Sequence, residues 1–77
     1  MAVFLRPINT QVLSVHAADG THVGNLKRVG VVWKFKAIGY DPDGSVVPGG
    51  GPLTERHNVW LDHPDAALLA QRLYPLE

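Results

Sequence analysis

With 77 residues, 45% of them hydrophobic and 18% charged, the chain carries enough apolar material for one thin core and too little charge for a disordered tail. Seven Lys+Arg balance seven Asp+Glu, so no long-range field draws the whole molecule onto nucleic acid or anionic membranes, and any such binding needs a local patch. There is no cysteine, which excludes a disulfide framework, a thiolate zinc site and a cysteine nucleophile together.

The opening residues 1–8 hold too short an apolar stretch for a signal-peptide core, and no segment approaches the run a bilayer span needs. The expectation is a single cytoplasmic domain over residues 1–77, without membrane contact, whose small core gives dimerisation a physical motive. Leu76-Glu77 reads as a cloning scar and carries no functional weight.

Residues 11–18 alternate, with Leu13, Val15 and Ala17 set against Val12, Ser14 and His16, a period of two that suits a half-buried strand. Asp19-Gly20 follows as a hairpin signal, because glycine takes positive φ without a Cβ clash. Residues 21–26 then form a second strand, weakened by Gly24 and Asn25. The clearest strand spans residues 30–40, with Val31, Trp33, Phe35 and Ala37 facing the core and Lys34 and Lys36 facing away. Asp41-Pro42-Asp43-Gly44 matches a type I turn, so residues 45–47 return antiparallel. Pro48-Gly49-Gly50-Gly51-Pro52 is a loop or a broad bulge. In residues 53–61 only Val59 and Leu61 against Trp60 suggest a short last strand.

Asp62 is the expected N-cap, His63-Pro64 the first turn, and the helix runs over residues 63–74 until Pro75 stops it. Its stripe of Ala66, Leu69, Ala70 and Leu73 should lie on the sheet face that carries Trp33 and Phe35. The fold class is therefore α+β, a small antiparallel meander of three to four strands packed against one C-terminal α-helix.

The four histidines form two equally spaced pairs, His16 with His22 and His57 with His63, but none makes a known ligand spacing with a carboxylate or thiolate. No metal or cofactor is expected. The glycine loop lacks the lysine and the Ser/Thr of a phosphate-cradling loop, and no nucleophile–base–acid set stands out, so the chain is not read as an enzyme.

Between residues 20 and 40 the chain carries Lys27, Arg28, Lys34 and Lys36 with no acidic residue, and Arg56 extends the set. With Lys34 and Lys36 pointing outward and Lys27 and Arg28 in the turn before them, a local basic surface could meet a phosphate backbone. The segments Trp33-Lys34-Phe35-Lys36-Ala37, Asp43-Gly44 and Ala66-Ala67-Leu68-Leu69-Ala70 resemble the three-stranded-sheet-plus-helix DNA-binding domains of the integrase arm-binding type. That resemblance implies a sheet that meets DNA, although Asp41 and Asp43 beside the patch depart from its strongly basic pattern. Trp60 and Tyr40, if both exposed, would mark a partner surface. The leading expectation is a non-catalytic binding or assembly module acting through its sheet face or an edge strand, with a protein partner or a second copy of itself. The alternative is a nucleic-acid-binding module using Lys27, Arg28, Lys34, Lys36 and Arg56.

Overall fold

The computed structural model describes residues 2–74, so Pro75 and the Leu76-Glu77 pair lie outside it. Five antiparallel strands run as a meander in chain order: β1 (Val3–Asn9), β2 (Val12–Ala17), β3 (His22–Val29), β4 (Val32–Tyr40) and β5 (Val46–Pro48). A sixth, β6 (Trp60–Leu61), pairs with the start of β4 on the edge that β5 also uses, and α1 (Ala66–Leu73) follows. The class is α+β, one antiparallel sheet with one C-terminal helix, but the sheet is wider than three or four strands. The additional strand is β1. Its inward residues Val3 and Leu5 alternate with Phe4 and Arg6, and the apolar Phe4 and Ile8 on the outer face blur the period.

Local chemistry sets the hairpins. Two of them use the same device: Gly20 donates to the Ala17 carbonyl at 2.9 Å and Gly44 to the Asp41 carbonyl at 2.8 Å, each glycine in the left-handed region (φ 92° and 88°). Each turn is then locked by the preceding aspartate, with Thr21 N–H donating to Asp19 Oδ1 and Ser45 N–H to Asp43 Oδ1, both at 2.9 Å. This is the three-residue hairpin that places glycine at the left-handed bulge position. The β3–β4 connection is tighter, with Gly30 (φ 63°) and Val31 between the paired Val29 and Val32. Val31 is accordingly 88% exposed rather than a core residue, because a two-residue turn has no inward face.

Register divides the sheet into two faces. Val3, Leu5, Leu13, Val15, Leu26, Trp33, Phe35, Ala37 and Leu61 lie on one of them, and the helix covers it with Leu69, Ala70 and Leu73. Burying Leu69 completely contributes about 1.5–3 kcal/mol. Gly24 sits beneath the Phe35 ring, where a Cβ would come 2.5 Å from ring carbons. The helix starts later than the sequence suggests: Asp65, not Asp62, is the N-cap, its Oδ1 accepting from Ala67 N–H at 2.9 Å and Leu68 N–H at 3.1 Å. His63-Pro64 therefore precede the helix. Arg72 ties it to β6 by donating to the Trp60 carbonyl at 3.4 Å.

The outer edge of β4 is completed piecewise. β6 takes Trp33 and Lys34, Val59 and Asn58 pair with Phe35, and β5 takes residues 38–40. At Ala37 the ladder has a gap that the glycine loop and a side chain fill: Gly49 N–H donates to the Ala37 carbonyl at 2.7 Å, and Ala37 N–H donates to His57 Nδ1 at 3.0 Å. The loop approaches β4 so closely that a Cβ on Gly39 would fall 2.5 Å from Gly51 N. No helix among the described residues is long and apolar enough to cross a membrane.

Candidate binding face of the sheet

The face away from the helix is open. By register it carries Phe4 and Arg6 from β1, Val12, Ser14 and His16 from β2, and His22, Asn25, Lys27 and Val29 from β3. To these β4 adds Val32, Lys34, Lys36, Ile38 and Tyr40, and β6 adds Trp60. No strand contains an aspartate or glutamate; the acidic residues of the described chain stand in turns, in loops and before the helix.

Among the basic residues expected to act together, Lys27, Lys34 and Lys36 share this face. Lys27 and Lys34 are direct cross-strand partners, and Lys36 lies one pair further along β4 opposite Asn25. Like charges directly opposite each other destabilise a sheet. Arg28 does not join them. Both Lys27 and Arg28 belong to β3 rather than to a turn, so alternation sends Arg28 to the other face, opposite Trp33, where its Nε donates to the Gly30 carbonyl at 3.3 Å. Arg56 lies in a short 3-10 turn (Thr54–Arg56) beyond the strands. Arg6, on the edge strand β1, is a further cation on the same face but stands two strands away from Lys27; the signal available in sequence was its alternation with Val3 and Leu5.

Large apolar groups interleave with these cations. Trp60 is 52% exposed and cross-strand to Lys34, while Tyr40 is 50% exposed at the far end of β4; Phe4, Ile8, Val29 and Val46 are exposed as well. Trp33 by contrast is half-buried against the core, on the helix side.

A hydrogen-bonded chain crosses the same face. Ser14 Oγ lies 2.9 Å from His16 Nε2, and His16 Nδ1 lies 3.3 Å from the Gly20 carbonyl. The His16 and His22 rings stack at 5.1 Å between centroids. His22 in turn bonds Tyr40 through Nδ1 at 2.8 Å and Asn25 Oδ1 through Nε2 at 3.0 Å. The Ser14–His16 contact has the spacing of a nucleophile and its base, but Ser14 is only 7% exposed and also reaches the Arg6 carbonyl at 3.4 Å, which makes it a cross-strand tie. Three of the four ring nitrogens of His16 and His22 already have side-chain partners, and His57 is engaged at Nδ1. Among the described residues no three His, Cys, Asp or Glu side chains gather as a metal site would require.

Hydrogen bonds from the Thr21 and Ser45 backbone amides, aided by their hydroxyls, hold the Asp19 and Asp43 carboxyls below the ordinary aspartate value. Both aspartates are thus accounted for by the hairpins they lock.

At the β3–β4–β5 end, the open face sinks into a groove of about 270 Å³ lined by Asn25, Lys27, Lys36, Ile38, Pro48 and His57, among others. Compared with protein-family models, with curated proteins and with solved structures, the chain matches none.

Proposed function

We propose that this protein is a non-catalytic binding module that works through the open face of its sheet, and that the face takes single-stranded nucleic acid. The observation that carries the reading is the composition of that face: Arg6, Lys27, Lys34 and Lys36 interleave with Phe4, Tyr40 and Trp60, and no strand carries an acidic residue. Cations spaced along a sheet neutralise phosphates, while exposed rings offer stacking platforms to unpaired bases. A neutral molecule can do this because the acidic residues of the described chain lie outside the strands, with Asp41 and Asp43 in the turn that follows β4. We take it to act in the cytoplasm, where a cysteine-free chain needs no oxidising compartment.

The sheet edges support the face over edge pairing as the mode of contact. β1 contains Pro7, which has no amide to donate, and a bulge between Pro7 and Asn9; β5 has three residues and ends in Pro48. Such devices blunt strand addition.

The test is binding of a labelled oligothymidylate at low and moderate salt, followed by anisotropy. Binding should weaken as salt rises, with a log–log slope of about −0.7 per phosphate neutralised. The Lys34→Glu, Lys36→Glu double variant should lose most of the affinity while remaining folded. Absence of binding at low salt, or equal binding by that variant, would overturn the reading. One observation favours a second occupant: Phe4, Ile8, Val29 and Val46 are each exposed, and a protein partner or a second copy would cover such groups. Concentration-dependent sedimentation that Phe4→Ser abolishes would select it.

A further inference from the structure

We infer that the groove at the β3–β4–β5 end of the open face holds one backbone phosphate of the bound strand, with Lys27, Lys36 and His57 as its donors. The inference rests on the nucleic-acid reading above and names the place on the face where the chain of phosphates is gripped.

The lining of the groove divides by chemistry. Lys27 on β3 and Lys36 on β4 are diagonal neighbours across one ladder and both line it, Asn25 adds an amide, and none of the lining residues is acidic. Ile38, Val46 and Pro48 form an apolar wall beside them. A space of about 270 Å³ is at the small end for a drug-sized ligand, and it suits a phosphate with its adjoining sugar.

Two of the three donors are held in place where the loop meets β4: His57 by the Ala37 amide of the strand, and Lys36 by Asn58 of the loop. Because Ala37 N–H donates to His57 Nδ1, the neutral imidazole carries its proton on Nε2, and that N–H points away from the strand. Lys36 Nζ donates to Asn58 Oδ1, and Asn58 sits in the left-handed region (φ 74°), where few residues other than glycine and asparagine settle. One ammonium proton is thereby fixed and two remain to donate. Residues 57 and 58 complete the edge of β4; in doing so the first is itself oriented as a donor, and the second orients Lys36. A preorganised pair of donors loses less freedom on binding than two solvated side chains would.

The experiment is an amide and imidazole shift titration of labelled protein with a short oligothymidylate, repeated with a methylphosphonate oligothymidylate whose backbone is uncharged. It is run on the parent and on the Lys36→Gln and Asn58→Gly variants; the second keeps a residue that accepts the left-handed region and removes only the tether. The expected result is that the charged oligonucleotide shifts Asn25, Lys27, Lys36 and the His57 ring, and that the uncharged one does not. Lys36→Gln should lower the magnitude of the salt slope by about 0.7, one single-strand phosphate contact. If the charged oligonucleotide shifts Phe4, Tyr40 and Trp60 but leaves the groove signals and the Lys36→Gln slope unchanged, the phosphate site is wrong and the nucleic-acid reading stands. If it shifts nothing at low salt, both are wrong.

Discussion

The two faces of this sheet are made by the same strands and have opposite characters. On the helix side, Val15, Leu26, Phe35 and Leu69 have no exposure, and glycine is needed where a ring or another backbone passes close. On the other side, lysines stand beside each other and a tryptophan and a tyrosine lie half in solvent. Folding accounts for the first face, because burial of apolar area is its main driving force. It does not account for the second. Paired lysines cost stability and exposed aromatic rings contribute little to it, and the function proposed above would give both a use.

The sharpest break between the faces should come from truncation. Phe35→Ala opens a cavity under the helix and should cost about 3–5 kcal/mol in denaturant unfolding, enough to unfold a domain this small at ambient temperature. On the same strand, Lys34→Gln should leave unfolding free energy within about 0.5 kcal/mol of the parent.

A smaller effect tests how the groove edge is built. Gly39→Ala must push the Gly51 backbone away and should cost about 1–3 kcal/mol. Gly44→Ala, at φ 88° in open space, has only the left-handed conformation to accommodate and should cost less than Gly39→Ala, about 1 kcal/mol. Equal losses at the two sites, measured by thermal unfolding, would show that the close approach of the loop is not tight.

On the open face the ordering should reverse, with ligand affinity changing more than stability. Trp60→Ala should weaken oligothymidylate binding by about 1–3 kcal/mol if a base stacks on the ring, read from anisotropy. Trp33→Phe, on the helix side, should leave binding unchanged.

The smallest effect concerns the turns, which belong to neither face. The folded carboxyls of Asp19 and Asp43 titrate below their unfolded values, so their hydrogen bonds stabilise the hairpins fully above the ordinary aspartate range. That contribution is lost as pH falls through the depressed folded values. Carboxyl carbon shifts followed through an acid titration should give midpoints below 3.8 for both, and the Asp43→Asn variant should lose its share of the acid dependence.

Much of this was legible in the chain because it depends on neighbours in sequence. The alternation in β2 and β4 and the two Asp-Gly turns are local, and so is the Leu69, Ala70 and Leu73 stripe; each appears where the residues place it. β1 was harder to see, since exposed Phe4 and Ile8 fill positions that a half-buried strand usually gives to polar groups. The helix cap differs from the expected Asp62: it is Asp65 whose carboxylate accepts from the free amides of the first turn.

The candidate face divides in the same way. That Lys34 and Lys36 share a side follows from period two in a single strand, and the sequence by itself determined it. Whether Lys27 or Arg28 would join them depended on the register of β3 against β4, which pairs Lys27 with Lys34 and turns Arg28 to the opposite side. The closeness of His57 to Lys27 and Lys36 likewise came from the chain folding back along β4. Spacing along a chain sets which residues share a strand face; only pairing between distant segments sets which faces and side chains meet.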